Sequence, residues 1–406
     1  MNHDEKVDGS QDSVVKRAGL SRRRFLAGGA TGLLAAALTG CRTGLAQAVP
    51  TPAAGRPSIT GAPEPSNPGQ PFTMFVYSGL TERAYRELFV PGFERETGAR
   101  VTLDPGWWDM AAKLKVAPSG QATFDLVMTD STQGYPGIRD NLFTKIDLDN
   151  VPNARRFAPP VLESWIYRDG WGVPYVSSAM TLAWHKELVP GSLKSWGDLF
   201  ADSLKGEIML YNAWYMSLFT FAAAKAALDG KPNTARQQIE TDLDAVLQFA
   251  REKRDWVKYW WPATSDAVFA LMQRNVKAGN LHGNGLIQPL KEGRPLDLVI
   301  PKEDRAYVQL FFLVPRNTRD RRLAEQAIDF IASPGFQRDL AEKTGELSCN
   351  IPEVAAEVAK SNPIWARVYP HSAEDWQSLA YYPFDAYDRQ LDKIVNVWNR
   401  EILRKG

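Results

Sequence analysis

The chain has 406 residues, of which 44% are hydrophobic and 23% are charged, and its 48 lysines and arginines almost balance its 47 aspartates and glutamates. This balance lacks the basic excess of a nucleic-acid-binding protein, and the length fits one large or two medium domains. Cys41 and Cys349 are the only cysteines, too few for a disulfide scaffold or an iron–sulfur site, so we expect stability to come from packed cores.

The segment "SRRRFLAGGATGLLAAALTGC" at residues 21–41 joins a basic start, a short apolar run and a cysteine. The apolar run is shorter than the roughly 20 residues that a membrane-spanning helix needs. The pair Arg22 and Arg23 is typical of a twin-arginine export signal, and the Leu-Thr-Gly-Cys sequence ending at Cys41 is similar to a bacterial lipobox. We predict a signal peptide over residues 1–40 and a lipid on Cys41. The alternative is a basic, apolar N-terminus that is not processed.

Residues 41–70 are dense in proline, glycine, alanine and serine and contain almost no large apolar side chains. Such a composition cannot bury enough apolar surface to offset the entropy lost on ordering. We predict a disordered tether between the lipid and the folded protein.

The next stretch alternates between strand and helix patterns. Three short β-rich runs, "FTMFVYSG", "ARVTLDPG" and "FDLVMTDS", are separated by helical patterns, "ERAYRELFVPGFERETG" and "WWDMAAKLKVA". In the first helical pattern we expect an interruption at Pro91 and an end at Gly98. The alternation predicts an α/β fold with a parallel sheet.

The chain then enters a second region through the long β-prone stretch "GWGVPYVSSAMTLAWHKELV". A helix leads to a strand at residues 208–211, and helical patterns follow in "SLFTFAAAKAAL", "TARQQIETDLDAVLQFAREK" and "AVFALMQRN". "VKAGN" and "LDLVIP" are candidate strands, and "AYVQLFFLVP" is expected to cross back. The C-terminal patterns predict amphipathic helices, and the sequence shows no internal repeat.

The order of these pieces resembles bacterial extracellular solute-binding proteins of ABC importers, in the two-lobed type with double crossovers that includes polyamine and maltose binders. The matching phrases are "FERETGARVTL", "FDLVMTDS", "WGVPYVSSAMTLAWHKEL", "SLKSWGDLFADSLKGEI" and "AEQAIDFIASPGFQRDLAEKTG". The resemblance implies an α/β, two-lobed type II periplasmic-binding-protein fold with a double crossover hinge. It also implies lobe 1 over residues 71–180 and 310–362, and lobe 2 over residues 181–309 and 363–406.

The resemblance further implies a protein that binds a small solute without chemistry or cofactor and delivers it to a membrane permease. We expect an exported, periplasmic or cell-surface monomer, anchored by a lipid at Cys41, that binds no nucleic acid. Two alternatives stay open, an exported enzyme and a sensor or adaptor. No G-x-S-x-G, H-E-x-x-H, phosphate-loop or dinucleotide motif supports the enzyme. Hinge motion is expected near residues 176–182, residues 309–314 and Asn362.

In open parallel sheets, ligands bind beyond the carboxyl ends of the strands. The loops at those ends carry hydroxyl, amide, carboxylate and aromatic side chains suited to a small solute. The candidate ligand-binding residues are Ser78, Thr81, Trp107, Trp108, Asp130, Ser131, Asn212, Trp214, Tyr215 and Asn284.

Most of these candidates also have a structural alternative that the sequence leaves open. The alternatives are helix capping for Ser78 and Thr81, core packing for at least one of Trp107 and Trp108, an Asx turn for Asp130, core packing for Trp214 or Tyr215, and a turn at Asn284. His185 and His282 are expected to be packed or surface residues, because no neighbouring group has metal-ligand spacing. No metal site is predicted.

Polyamines are the favoured solute class because polyamine binders are most similar in organisation. Such binders need carboxylates on both lobes, but the second-lobe loop at residues 212–216 carries none. Asp109, Asp130 and Asp385 are the acids that could compensate. A sugar or another small organic solute is the alternative, and an anion is a third option. Tyr381 and Tyr382 are adjacent and lack partner ligands, which disfavours a ferric-ion site.

Overall fold

The computed structural model describes residues 66–118 and 120–403, in which ten strands form one continuous sheet with helices packed against it. The predicted signal peptide, Cys41 and the predicted tether up to residue 65 lie outside the described residues. Within that described part, no helix combines the length and the apolar character needed to cross a bilayer.

The strands are β1 (Pro71–Tyr77), β2 (Arg100–Gly106), β3 (Leu126–Asp130), β4 (Phe143–Thr144), β5 (Gly172–His185), β6 (Ile208–Tyr211), β7 (Val257–Trp261), β8 (Ala278–His282), β9 (Leu296–Val299) and β10 (Tyr307–Pro315).

The α-helices are α1 (Leu80–Ala84), α2 (Val90–Thr97), α3 (Met110–Val116), α4 (Ser131–Arg139), α5 (Pro159–Leu162), α6 (Trp165–Arg168), α7 (Trp214–Leu228), α8 (Ala235–Thr241), α9 (Leu243–Lys253), α10 (Thr264–Met272), α11 (Ile287–Lys291), α12 (Arg321–Ala332), α13 (Pro334–Thr344), α14 (Pro352–Ser361), α15 (Pro363–Ala366), α16 (Ala373–Gln377), α17 (Phe384–Arg389) and α18 (Leu391–Val397). Two π-helical turns occupy Tyr85–Phe89 and Trp398–Ile402, and 3₁₀ turns occupy Leu148–Asn150, Pro152–Arg156, Trp196–Phe200, Asp202–Leu204, Arg254–Trp256 and Gly283–Leu286.

The sheet has two halves with the same strand order. In the first half, β2, β1 and β3 are parallel, and β10 joins β3 in antiparallel orientation before β5. In the second half, β7, β6 and β8 are parallel, and β5 joins β8 in antiparallel orientation before β9. The α/β prediction is confirmed. The sequence shows no repeat because strand order, and not the residues themselves, is what the two halves share.

Strand β5 belongs to both halves. Its residues 172–176 and 179 pair with β10, whereas its residues 180–185 pair with β8 and β9. The register between β5 and β10 shifts between Tyr307 and Gln309, where β5 passes from one half to the other. The chain therefore crosses between the halves along β5 and returns along β10, as the two long β-prone stretches predict.

Two glycines allow neighbouring strands to approach closely, one between β8 and β6 and one between the crossing strands β5 and β10. A Cβ atom on Gly279 of β8 would lie 2.1 Å from the carbonyl oxygen of Met209 in β6. A Cβ on Gly172 of β5 would lie 2.2 Å from the carbonyl oxygen of Phe312 in β10. Because real Cβ atoms do not approach backbone oxygens so closely, both positions require glycine.

The helical pattern around Pro91 differs from the prediction. Helices α1 and α2 run on without a break in the chain of helical turns, but a π turn at Tyr85–Phe89 separates them directly before Pro91. The interruption expected at Pro91 therefore takes the form of a π turn and not of a break in the helix. The helix ends as predicted at Gly98, which adopts a left-handed conformation with φ of 76°.

Two other helical patterns are divided. The pattern at residues 234–253 splits at Asp242, whose φ of −146° is extended, into α8 and α9. The C-terminal pattern splits at Gln390, with φ of −126°, into α17 and α18. Strand β7, with the sequence "VKYWW", is an element that the sequence analysis missed.

Candidate functional site

The carboxyl ends of β1 and β2 face those of β7 and β8 across a cavity of about 600 Å³. Four predicted residues line it, namely Ser78, Thr81, Trp107 and Asn284. The residues that sequence analysis missed are Gly79, Leu80, Arg83, Ala263, Thr264, Ser265, Val268, Phe269, Met272, Gly285 and Glu346. A cavity of this size is typical of a site for a small organic molecule.

Helix capping does not account for Ser78 and Thr81. The N-cap of α1 is Gly79, with φ of 91°, and no side chain caps that helix. Helix α10 also starts at the cavity, at Thr264, without a side-chain cap. The hydroxyl groups of Ser78 and Thr81 are therefore not used in capping, and the capping alternative is wrong.

Trp107 and Trp108 are both about half exposed, at 50% and 52% of their surface. The ring of Trp107 stacks on Tyr77 with 5.2 Å between centroids, and its carbonyl oxygen accepts a 2.9 Å hydrogen bond from the Gln133 side chain. The ring of Trp108 meets the edge of Tyr215 at 6.4 Å, which is a contact between the two halves. Core packing is therefore wrong for both tryptophans, because the loop after β2 leaves the sheet and carries them to the surface.

Asp130 ends β3 and caps α4. Its Oδ1 accepts hydrogen bonds from the backbone N–H of Thr132, at 2.9 Å, and from the Thr132 hydroxyl, at 2.5 Å. Its own N–H donates to the hydroxyl oxygen of Tyr77 at 2.9 Å. The side chain is buried, and this burial raises the pKa of the carboxyl group. The Asx-turn alternative is thus confirmed, because Oδ1 makes the turn. The turn provides no cation to balance the negative charge of the carboxylate.

The charge of the Asp130 carboxylate acts on three tyrosines, of which Tyr77 is in direct hydrogen-bond contact with the Asp130 backbone. This negative charge adds to the effect of burial in raising the pKa of Tyr77, Tyr211 and Tyr215. Tyr77 comes from the first half of the sheet, whereas Tyr211 and Tyr215 come from the second. Among the described residues, no lysine, arginine or histidine forms an ion pair with Asp130. We call Asp130 and these three tyrosines the aromatic acid box.

Incompletely bonded polar atoms flank the aromatic acid box. The buried atoms Thr129 Oγ1, Ser131 Oγ and Gln133 Oε1 make no well-formed hydrogen bond in the described protein, although Thr129 interacts with the Tyr77 hydroxyl and Ser131 with the Tyr135 hydroxyl. Buried polar atoms are normally paired, so this incompletely bonded group marks a place where a polar molecule can bind. Ser131 also lines a narrow cavity of about 30 Å³ together with Trp214.

In the second half of the sheet, Tyr211 stacks on Trp261 with 4.2 Å between ring centroids. His282 contacts both rings edge-on, at 5.5 and 5.8 Å, and its Nδ1 lies 3.5 Å from the hydroxyl oxygen of Ser178. Burial lowers the pKa of His282 to about 4. The imidazole is therefore neutral at pH 7 and packed, as predicted.

The predicted second-half residues Asn212, Trp214 and Tyr215 do not line the large cavity. Tyr215 is buried against Tyr382, at 5.8 Å between centroids, and Trp214 contacts Tyr387 at 5.1 Å. The backbone N–H of Asn212 donates to Trp261, and its carbonyl oxygen accepts from the Trp398 side chain. The core alternative therefore applies to Tyr215 and in part to Trp214, while the charge of Asp130 also acts on Tyr215.

The other acids that could compensate for the missing second-lobe carboxylates have different roles. Asp109 forms an ion pair with Lys113 at 2.9 Å, which lowers the pKa of Asp109. Asp385 lines a separate cavity. Among these acids, the structure therefore places Asp130 alone in the aromatic acid box.

Two α/β halves that share crossing strands and enclose a cavity between their loops are arranged to close on a small molecule. The chain belongs to the family of bacterial extracellular solute-binding proteins, whose family model matches residues 90–367. It is 22% identical over 330 residues to the spermidine/putrescine-binding periplasmic protein of Escherichia coli, covering 80% of this chain and 89% of that one.

A second relative is the gamma-aminobutyric acid-binding protein of Pseudomonas aeruginosa, which is 23% identical over 278 residues and covers 68% of this chain and 75% of its own. Among solved structures, an ABC transporter substrate-binding protein from Bradyrhizobium japonicum superimposes with a TM-score of 0.69 at 17% identity, over 83% of this chain and all of that one.

These similarities confirm the predicted two-lobed periplasmic-binding-protein fold and the small-solute-binding role in ABC import. The family is one of transport proteins, which implies a small-molecule ligand and a membrane permease as partner. Below, lobe 1 means the first half of the sheet with its helices, and lobe 2 means the second half with its helices.

Proposed function

We propose that this protein captures a small solute with a protonated amine between its lobes and delivers it to an ABC permease. The observation that carries the proposal is the aromatic acid box. A buried carboxylate without a cation is costly, and an ammonium group would neutralise it through a charge-assisted hydrogen bond. The phenol rings would add cation–π attraction.

The aromatic acid box would also take the place of the carboxylates that lobe 2 lacks. The end of β6 contributes Tyr211 and the first turn of α7 contributes Tyr215, and the charge of Asp130 acts on both from the opposite lobe. Aromatic faces would bind a cation without carrying charge themselves. One acid in lobe 1 with aromatic rings in lobe 2 would therefore suffice for one ammonium group.

The other end of the solute would lie in the large cavity, where two residues of opposite charge line the wall. Glu346 would accept a second ammonium group, as in a polyamine, and Arg83 would accept a carboxylate, as in an ω-amino acid. The relatives that bind spermidine/putrescine and gamma-aminobutyric acid correspond to these two arrangements. Both solutes share the amine that the aromatic acid box would hold.

Calorimetric titration of the mature protein, starting at Arg42, tests the proposal with putrescine, spermidine, 4-aminobutyrate, sugars and inorganic anions. Saturable binding of at least one amine is expected. A ligand at 100 times its dissociation constant also raises the free energy of unfolding by about 2.7 kcal/mol, which thermal unfolding detects. Binding of a sugar or an anion without any amine would contradict the proposal, and binding of none would favour the sensor or adaptor.

We propose that the chain is exported by the twin-arginine route and held at the membrane by a lipid on Cys41, as a monomer. The sequence from Arg22 to Cys41 supports this proposal. In the native host, Cys41→Ser should move the protein from the membrane fraction to the periplasmic or culture fluid. Unchanged membrane retention would argue against the lipid anchor.

Solute release would depend on hinge motion between lobe 1 (residues 71–180 and 310–362) and lobe 2 (residues 181–309 and 363–406). The change of pairing partner along β5 supports a hinge near residues 176–180, and the register shift in β10 supports a second near Gln309. A solute stabilises the closed state only by its difference in affinity between the two states. Small-angle scattering with and without a bound amine should show a more compact particle with solute.

A further inference from the structure

A second cavity of about 500 Å³ is separate from the solute cavity and shares no lining residue with it. Its walls come from helices α4, α5, α6 and α8, from β10, and from the segment before α17 together with the start of α17. The lining residues are Tyr135, Pro160, Glu163, Ser164, Trp165, Arg168, Arg236, Glu240, Gln309 and residues 379–385. Tyr382 stands between this cavity and the aromatic acid box, because its ring packs on Tyr215 at 5.8 Å.

Arg236 of α8 gives the cavity a partly buried positive charge. Burial lowers the pKa of its guanidinium group, whereas the charges of Glu240, Tyr387, Asp304 and Asp385 act in the opposite direction. Among the described residues, none forms a hydrogen bond or an ion pair with the Arg236 side chain. A guanidinium group presents five N–H donors in a planar fork, which fits a carboxylate with two hydrogen bonds.

A neutral hydroxyl group in the same cavity also makes no well-formed hydrogen bond. The Tyr381 hydroxyl is buried without an acceptor or donor in good geometry in the described protein, and the Gln309 side chain is the polar group beside it. Burial raises the pKa of this phenol well above its ordinary range, so it keeps its proton at neutral pH. It can therefore donate a hydrogen bond to an acceptor such as a carboxylate oxygen.

Aromatic rings form the flat walls of the cavity. Tyr135 lies 5.3 Å from Trp165 and 6.1 Å from Phe384, measured between ring centroids. Such surfaces bind the apolar body of a ligand by burial and by ring contacts. The site thus combines a flat apolar surface with donors for one anionic group.

We propose that this cavity is a second small-molecule site, which binds a monocarboxylate with an aromatic or apolar body and directs the carboxylate to Arg236 and Tyr381. The acids Glu163, Glu240 and Asp385 are exposed, so solvent weakens their interactions, although the charges of Glu240 and Asp385 still act on Arg236. They would repel a second negative charge, which disfavours dicarboxylates and phosphates. The proposal does not depend on the identity of the solute that binds at Asp130.

Calorimetric titration of the mature protein with benzoate, phenylacetate and indole-3-acetate tests the proposal, with benzamide as the uncharged control. At least one carboxylate should bind saturably, and benzamide should bind more weakly. Arg236→Gln should weaken carboxylate binding by about 10- to 100-fold, since a charge-assisted hydrogen bond is lost. Arg389→Gln, which removes an exposed charge from α17 outside the cavity, should leave binding unchanged.

Two further variants separate this site from the solute site and from misfolding. Asp130→Asn should keep carboxylate binding, whereas Arg236→Gln should keep amine binding. If thermal unfolding shows that Arg236→Gln does not fold, Tyr381→Phe is the variant that tests the proposal. It should weaken carboxylate binding by about 3- to 10-fold. The proposal is overturned if no carboxylate binds, if neither variant of the cavity weakens binding, or if Asp130→Asn abolishes it.

Discussion

Replacing Asp130 by asparagine removes the charge of the aromatic acid box with little change in shape. Asparagine keeps an oxygen that can accept the hydrogen bonds from Thr132, so α4 retains its cap. The substitution therefore tests the carboxylate charge rather than the fold. We expect it to change amine affinity and protein stability in opposite directions.

The loss of affinity follows from the burial of the carboxylate. Removing one partner of a buried charge pair costs about 2 to 4 kcal/mol, so an amine should bind about 30- to 1000-fold more weakly to Asp130→Asn. A purely structural role for Asp130 in capping α4 would not produce this loss. The measurement is the dissociation constant by calorimetry at pH 7.

The effect on stability has the opposite sign. Burial raises the pKa of Asp130 above the ordinary value of 3.8, so the folded state holds this proton more tightly than the unfolded state. The free energy of unfolding therefore falls as pH rises through the raised pKa and stays lower above it. At neutral pH the charged group destabilises the ligand-free protein, and Asp130→Asn should raise the midpoint of thermal unfolding.

Asp140→Asn is the matched control, because Asp140 lies at the opposite end of α4 and is exposed. Its amine affinity should equal that of the unmodified protein. Unchanged amine affinity in Asp130→Asn would refute the role of the box, and so would an equal loss in both variants.

Three further results are expected. The pKa of His282 falls to about 4, so stability should be lost as pH falls from about 6.5 towards 4, by up to about 3 kcal/mol, and thermal unfolding of His282→Gln should lack this dependence. Trp107→Ala and Phe269→Ala should each weaken solute binding by about 1 kcal/mol with little loss of stability, because both rings are at least half exposed; unchanged affinity in both would exclude them from the site. Gly279→Ala should lower the free energy of unfolding by about 3 kcal/mol, since its Cβ would collide with the Met209 carbonyl, and a normal denaturation midpoint would contradict that geometry.

The ends of the strands were the most predictable part of the site. β-rich runs that stop at small or polar residues locate the loops after β1 and β2, and those loops bring Ser78, Thr81 and Trp107 to the cavity. Local sequence carries this information, because a strand and its terminating residues are neighbours in the chain.

The aromatic acid box could not be predicted in the same way. Tyr77 and Tyr211 occupy buried strand positions and have the pattern of ordinary core residues. Only the pairing of distant strands places them near Asp130. The exposure of both Trp107 and Trp108 was missed for a similar reason. The alternation of side chains between the two faces of a strand does not show where the following loop leaves the sheet.

The second cavity shows the same limit more strongly. Arg236 lies on a short helix, and Tyr381 lies in a segment near the C-terminus. From the sequence alone, Arg236 has the pattern of a solvent-exposed charge, and Tyr381 has the pattern of one member of an adjacent aromatic pair. Burial and the lack of well-formed hydrogen bonds, which only tertiary structure reveals, distinguish both residues from their neighbours.

The exchange of strands between the halves has a consequence for biogenesis. Strand β3 pairs with β1 on one side, but its second neighbour is β10, which is synthesised only after the strands β6 to β9, while β8 depends on β5 from the preceding segment. Neither half can complete its hydrogen-bonded ladder from its own contiguous stretch of chain, so a fragment containing one half would expose an unpaired edge prone to aggregation. Folding must await the emergence of β10 and should then be slow and cooperative, with both halves melting in one transition.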